Sequence, residues 1–570
     1  MSNARNNYER WMNSPNLDAA LRKEMEGMDE DAINDAFYTN IEFGTAGMRG
    51  VMGAGTNRIN IHTIRKATEG FAEYIKENGP EAMNNGIAIG YDNRHHSREF
   101  AFDSANVLAR NGIRVYVFES LRPTPELSFL TRFKGCFGGI MITASHNPKE
   151  YNGYKVYDKN GCQLLPNDIA PLVDIINRLG FELDVKRGKD PNPGQILILD
   201  ESYDENYRRG VRQIQLNKNL DKTDFKVVFS PQHGTAYENG MKLFRHLKYN
   251  VIPVKEQCTP DPYFSNTKSP NPENPEAYEL ALIYAKENNA DLILTTDPDG
   301  DRIGMAFLDS KGEYQLYSGN QTGALLINYI LSQRQEKGTL SKNGVVFNTI
   351  VTSSLGGKVA KSYGVDTESL LTGFKYIGSR IHYYSKTKEK TFEFGYEESY
   401  GYLISSFVRD KDSLQALVMI SEMTNYYRLK GLRLDQVMEE LYKKYGYHSD
   451  KLYSIFFKGQ AGANTMNEIM NDLHSNPVNE IAGHKVVATE DYLYLTRTEN
   501  DNVSFIENLP STNAIKYYLD DGSTVAIRPS GTEPKCKFYY EAVSYTSHEE
   551  CLEKPDILHQ AMMKILNIKE

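Results

Sequence analysis

Cysteine is scarce. The 570 residues hold five, Cys136, Cys162, Cys258, Cys536 and Cys551, widely scattered and with no C-x-x-C pair. That spacing excludes a zinc ribbon and a disulfide framework and fits a cytoplasmic chain with reduced thiols. Long apolar runs are missing as well. The longest, such as residues 416–420, fall far short of the ~20 residues a membrane helix needs. Residues 1–16 are polar and have no signal-peptide core. There is no Lys/Arg run and no low-complexity tract, and the net charge is -10. These features argue against a nucleic-acid or membrane-surface binder. An anionic substrate would need a locally positive site inside an acidic molecule.

What is present is a globular composition, 40% hydrophobic and 25% charged, over a length that predicts about four domains at roughly 150 residues each. Strand-like runs fall at 86–91, 113–118 and 138–142, then at 225–229, 251–254 and 291–295, then at 345–347 and 392–394. Helical periodicity separates them, as at 64–76 and 276–286, which predicts three successive α/β blocks. Beyond Lys444 the runs 451–457 and 524–527 stand among fewer long helices, which predicts an α+β tail. Polar stretches near 186–194, 265–275 and 446–450 read as loops.

Several predicted strands end in loops rich in Gly, Asp, Ser, Arg and Pro, where open α/β sheets bind ligands. Thr143-Ala-Ser-His-Asn-Pro148 follows a strand. It is either an Asn-Pro turn or a loop exposing the Ser145 hydroxyl as a phosphoryl carrier, with His146 and Lys155 nearby for protons or charge. Asp297-Pro-Asp-Gly-Asp-Arg302 sets three carboxylates at alternate positions, which in extended backbone share one side and suit a hard cation. An EF-hand would need Gly and Glu where Arg302 and Leu308 stand, and a solvated acidic turn is the other alternative. Arg302 itself could meet a phosphoryl group. Arg528-Pro-Ser-Gly-Thr532 packs a guanidinium, two hydroxyls and an open backbone into five residues, with Lys537 beyond, as a phosphate site or an ordinary turn. The segment 394–401 offers Glu397 and Ser399 to sugar hydroxyls, or is an acidic turn. Segments 43–50 and 372–378 each show one cation, Arg49 and Lys375, in a Gly-rich loop.

Taken together and in this order, the motifs resemble the α-D-phosphohexomutase superfamily from Phe43 to Glu541. Segments 41–50 and 372–378 are most similar to its phosphoglucomutase-2/phosphopentomutase-like branch, which includes enzymes that prefer pentose phosphates or make glucose 1,6-bisphosphate. The resemblance implies an α/β chain of four domains around a central cleft: three related α/β domains with mixed sheets, at 1–205, 206–315 and 316–445, and a C-terminal α+β domain at 446–570. It implies a cytoplasmic phosphoglucomutase in which phosphorylated Ser145 converts glucose 1-phosphate to glucose 6-phosphate through glucose 1,6-bisphosphate. Ser145, Asp297, Asp299 and Asp301 would hold Mg²⁺. His146, Lys155, Arg49 and Arg302 would serve catalysis, and Glu397, Ser399 and Lys375 would contact the sugar. Arg528, Ser530, Gly531, Thr532 and Lys537 would hold the other phosphate, Lys537 standing where many relatives carry Arg. Ribose or deoxyribose phosphate and mannose phosphate are alternative substrates. A metal-dependent sugar phosphatase and a non-catalytic sugar-phosphate binder are the rivals from other classes. Oligomeric state is not encoded in any of these motifs.

Overall fold

A strand that is apolar at every position must be buried on both faces, and a sheet between helical layers achieves this. The computed structural model describes residues 2–44, 47–185, 195–457, 459–500, 502–530 and 535–568. It divides into two compact units, Met1–Phe347 with Gly373–Leu434, and Asn348–Thr372 with Asp435–Glu570.

In the first unit, β1 (Met48–Val51), β2 (Ile87–Tyr91), β3 (Val115–Phe118), β4 (Gly138–Ile142), β5 (Tyr151–Asp158) and β6 (Ile196–Leu199) form a sheet of order β1-β5-β4-β2-β3-β6. Strands β4, β2, β3 and β6 are parallel, and β5 and β1 run antiparallel to their neighbours. Helices Ile61–Glu77 and Ser97–Arg110 bury Ile64, Phe71 and Leu108 in one core with Ile87, Ile89 and Ile140. The second sheet, β11-β10-β9-β7-β8, comprises β7 (Lys226–Ser230), β8 (Asn250–Pro253), β9 (Leu292–Thr296), β10 (Ile303–Leu308) and β11 (Tyr314–Leu316). It too is mixed, with β7 and β9 parallel and β10 antiparallel to β9. A third block follows with β12 (Gly344–Thr349), β13 (Asp366–Leu370, in the second unit), β14 (Thr391–Glu397) and β15 (Gly401–Leu403). Here β12 and β14 are parallel, and β14 and β15 antiparallel.

The second unit is built on an antiparallel sheet, β16-β23-β22-β21-β18-β19-β20. Its strands are β16 (Tyr447–Phe456), β17 (Glu480–Ile481, paired with β18), β18 (His484–Asp491), β19 (Thr496–Glu499), β20 (Asn502–Phe505), β21 (Ile515–Leu519), β22 (Thr524–Pro529) and β23 (Lys535–Ser544). Helix His548–Ile565 packs Leu558 and Met562 onto Val525, Phe538 and Tyr540. Glu541 of β23 fastens the segment around Ser353 to this sheet. Its Oε1 accepts from Ser353 Oγ at 2.8 Å and the Ser354 amide at 2.7 Å, and lies 2.9 Å from His448 Nδ1. Burial opposes its charge, but His448 and Lys516 hold the carboxyl down at about 2.

Two local expectations change. The stretch 446–450 is no loop: β16 begins at Tyr447, where pairing with Val543 and Ser544 supplies the backbone bonds that its polar composition concealed. Periodicity over 276–286 resolves into a 3₁₀ turn, Pro275–Tyr278, and a helix, Glu279–Asn288. Residues 186–194 lie outside those described.

Candidate active site

The motifs fall where strands end. Residues 143–148 leave the carboxyl end of β4, 297–302 that of β9, and 398–400 follow β14. Ser145 is buried, with φ 53°, a left-handed conformation that a non-glycine residue occupies only when its surroundings impose it. Its amide donates to Thr143 Oγ1 at 2.8 Å. The main constraint comes from Arg94, whose guanidinium donates to the carbonyls of Ser145 (2.6 Å), Asn147 (2.5 Å), Pro148 (2.8 Å) and Tyr151 (3.0 Å). Arg94 is buried beside Asp92, at 3.3 Å. One fork of five N–H groups thus fixes the whole loop.

Sequence reasoning missed Arg94 because nothing in Tyr91-Asp-Asn-Arg-His-His-Ser97 marks it except an arginine three residues past a buried strand. Replacing Arg94 with lysine is expected to cut kcat roughly 10–100-fold with the far-UV spectrum retained, because a single ammonium cannot span four carbonyls and a loop displaced by ~1 Å costs about that much. Steady-state assay beside circular dichroism checks it.

Ser145 Oγ donates to Asp297 Oδ2 at 2.8 Å and lies 3.3 Å from His146 Nδ1. Burial, Arg302 and Arg49 hold the His146 imidazole well below its usual range, and so uncharged. The three aspartates converge, but not as alternate residues of an extended chain. The loop is a tight turn with Gly300 at φ +66°, and the amides of Asp301 and Arg302 bond Asp297 Oδ1 at 3.1 and 3.0 Å. A Cβ on Gly300 would come within 2.8 Å of Pro123 Cβ, so a side chain there would both strain the turn and collide.

All three carboxylates are buried, with ligand oxygens within 4.8 Å of one another. Asp299 Oδ2 pairs with Lys155 at 3.0 Å and Asp301 Oδ2 with Lys411 at 2.8 Å. Their Oδ1 atoms have no hydrogen-bond partner among the described residues. Burial, then Asp299 and Asp301, push the Asp297 carboxyl well above its usual range. Burial acts likewise on Asp299, where Lys155, Asp297 and Lys411 together outweigh it and hold the carboxyl well below. Three crowded carboxylates, two of them with an unpartnered oxygen, are a donor set that suits a hard divalent cation. Lys411 escaped sequence reasoning. It follows Asp410, whose carboxylate accepts from Tyr157 at 2.8 Å, and burial of its charge is outweighed by Asp301, Asp410 and Glu397.

Arg302 pairs with Glu273 at 2.6 Å, which aims its guanidinium beside the cluster. Arg49 is on strand β1 rather than in a loop, and reaches Asn147 Oδ1 at 3.2 Å. Lys375 likewise is not in a loop: it is buried in the first turn of helix Phe374–Thr387, after Gly373 at φ +115°. The Gly373 amide donates to Glu397 Oε1 at 2.9 Å, and burial raises the Glu397 carboxyl to about 7. Ser399 sits half-buried in the turn between β14 and β15, next to Tyr400 at φ 65°. These residues all belong to the first unit.

In the second unit, Arg528 and Lys537 face each other across β22 and β23 instead of lying in a loop. Like charges directly opposite repel, a cost that an anion between them removes. Arg528 also donates to Thr372 Oγ1. The Ser530 amide bonds Lys535 O at 2.8 Å, while Gly531 and Thr532 lie outside the described residues.

A serine hydroxyl on a clamped strand-end loop, beside a buried acidic triad, is an arrangement that suits phosphoryl transfer. The family models for phosphoglucomutase/phosphomannomutase match in sequence: alpha/beta/alpha domain I at residues 40–182, domain II at 205–310, domain III at 318–445 and the C-terminal domain at 470–556. The chain belongs to this family, within the α-D-phosphohexomutase superfamily, and is an enzyme of the intramolecular phosphotransferase kind. It is 38% identical over 529 residues to a phosphoglucomutase of Staphylococcus epidermidis, covering 92% of this chain and 94% of that one. A phosphoglucomutase of Staphylococcus haemolyticus is 39% identical over 507 residues, covering 88% and 90%. Among solved structures, the open form of the Paramecium phosphoglucomutase pp63/parafusin shares the fold, with TM-score 0.68 and 18% identity over 93% of this chain and 95% of that one. No helix among the described residues is long and apolar enough to cross a membrane.

Proposed function

We propose that this chain interconverts α-D-glucose 1-phosphate and D-glucose 6-phosphate, with phosphorylated Ser145 as carrier and glucose 1,6-bisphosphate as intermediate. The observation that carries this is Ser145 Oγ, 2.8 Å from Asp297 Oδ2 at the edge of the buried triad. In the first half-reaction the bond between phosphorus and Ser145 Oγ breaks as one forms to a sugar hydroxyl, whose proton leaves to a base. After the bisphosphate turns over in the site, the bond between its other phosphorus and the sugar oxygen breaks as one forms to Ser145 Oγ, and the sugar oxygen takes up a proton. The domains would run 1–205, 206–315, 316–445 and 446–570.

The residues present fit Mg²⁺, which Asp297, Asp299, Asp301 and a phosphoserine oxygen would hold. When bound it neutralises charge on the transferring group. Arg94 keeps the Ser145 oxygen aimed at the triad. Arg49 and Arg302 would face the phosphoryl oxygens, and Lys155 the acidic cluster. Neutral His146 is free to accept a hydrogen bond or a proton beside Ser145. Glu397 and Ser399 would read ring hydroxyls, with Lys375 alongside, and a carboxyl at about 7 can carry a proton near neutrality. Arg528, Ser530, Gly531, Thr532 and Lys537 would hold the phosphate that is not reacting. Five free thiols suit a cytoplasmic setting.

Glucose 1-phosphate with a trace of glucose 1,6-bisphosphate is expected to give the highest kcat/KM in side-by-side assays with mannose, ribose and deoxyribose 1-phosphates. A clear win for a pentose phosphate would replace the sugar and leave the carrier in place, while release of inorganic phosphate from all four would make the enzyme a phosphatase. Arg528→Ala is expected to raise KM about 10–100-fold, the range that loss of charge-assisted bonds gives, while Ser145 still accepts phosphate from the bisphosphate. Initial-rate measurements and intact mass check both.

A further inference from the structure

Residues before the first family-matched position, 40, form three short helices, Asn3–Met12, Ala19–Glu26 and Glu30–Phe37. They share a small core built on Trp11, Met25, Ile33, Phe37 and Leu183. Trp11 is fully buried and is the only tryptophan in the chain. Its indole N–H donates to Glu182 Oε1 at 2.5 Å. On the other side of Glu182 lies a cavity of about 290 Å³ whose lining includes Asn7, Arg10, Asn40, Lys66 and Glu182.

The charges around this cavity do not balance. Two cations, Arg10 and Lys66, meet one carboxylate, and one oxygen of that carboxylate already serves Trp11. Lys66 Nζ donates to Gly180 O at 2.7 Å and stands 4.0 Å from Glu182 Oε2, with only 16% of its side chain exposed. The Arg10 guanidinium stacks 3.7 Å over the Phe181 ring and pairs with no carboxylate among the described residues. Burial, and repulsion from Arg10, hold Lys66 below its usual range against the pull of Glu182. The amide side chain of Asn40 and that of Asn7, which donates to Phe37 O at 2.9 Å, add polar groups to the wall.

We propose that this cavity is a second anion site, for inorganic phosphate or the phosphate group of a small monoester. Excess positive charge in a part-buried, polar-walled space is relieved by a dianion bonded to both cations. Its size, about 290 Å³ and near the lower end of the ~300–1,000 Å³ of ligand pockets, suits a small anion. Arg10 belongs to the first helix, Lys66 to helix Ile61–Glu77, and Glu182 to the turn Glu182–Asp184. A bound anion would therefore fasten the N-terminal helices onto the first α/β block, and Trp11 would report it.

The test uses the full chain at constant ionic strength. Trp11 fluorescence is followed as inorganic phosphate, glycerol 3-phosphate or potassium chloride is added. A saturable change with phosphate, absent with chloride, is expected in the wild type and in Arg528→Ala. Lys66→Met and Arg10→Gln should each weaken it at least tenfold, with mutase turnover within twofold of wild type and far-UV spectra unchanged. A response to glycerol 3-phosphate alone would make the ligand a monoester. The proposal fails if chloride acts equally, if both variants respond as wild type does, or if Arg528→Ala abolishes the response. Should Lys66→Met unfold, Arg10→Gln on the exposed first helix decides alone.

Discussion

Ser145→Ala is expected to lower kcat by roughly 10⁴-fold or more, the scale on which loss of a nucleophile acts, with the fold intact. The neighbouring hydroxyls are already engaged: Thr143 Oγ1 accepts from the Ser145 amide at 2.8 Å, and Thr124 Oγ1 donates to Asp299 Oδ2 at 3.1 Å. Alanine keeps the backbone carbonyls that Arg94 grips, so the loop should keep its place. It loses the hydrogen bonds of Oγ to Asp297 and His146, each a net cost of about 1 kcal/mol. Thermal unfolding within a few degrees of wild type, beside a lost turnover, would separate chemistry from stability. Near-normal turnover would remove Ser145 as the carrier.

Chelation is expected to abolish turnover by about 10³-fold, the equivalent of several kcal/mol of charge stabilisation, and added Mg²⁺ to restore it. The reason is local. Lys155 and Lys411 pair with Oδ2 of Asp299 and Asp301, but the Oδ1 atoms have no hydrogen-bond partner among the described residues. Ser145 Oγ lies 2.8 Å from Asp297 Oδ2, so a dianionic phosphate on it would add two charges beside the acidic cluster, a repulsion that a divalent cation relieves. Asp299→Asn should weaken metal binding and phosphoryl transfer together. It also leaves Lys155 without its 3.0 Å partner, so some stability falls too, and reversal by metal in the chelated wild type is the cleaner arm. Full activity in excess chelator would contradict the metal's role.

Much of this site was legible because strand ends and polar loops coincide in the chain. Ser145 and the three aspartates each follow an apolar run directly, so period, punctuation and chemistry agree. The geometry within the loops was not legible. Alternation suggested an extended backbone at Asp297, Asp299 and Asp301, whereas Gly300 and two amide bonds fold it into a turn. Gly-rich composition suggested loops around Arg49 and Lys375, whereas pairing with β5 and a glycine-capped helix start placed both in regular structure. Arg94 and Lys411 act over long sequence separations, on Ser145 and Asp301, and no local pattern announces such a partner.

The central claim is that the phosphoryl group travels through Ser145, and its most direct test is a pulse and chase. Enzyme is loaded with glucose 1,6-bisphosphate carrying radiolabelled phosphate, freed of sugar, and mapped by tandem mass spectrometry, then chased with unlabelled glucose 1-phosphate. One phosphate per chain on Ser145, leaving on the chase as labelled sugar phosphate, is the predicted result. Label on another residue, or its departure as inorganic phosphate, would contradict it.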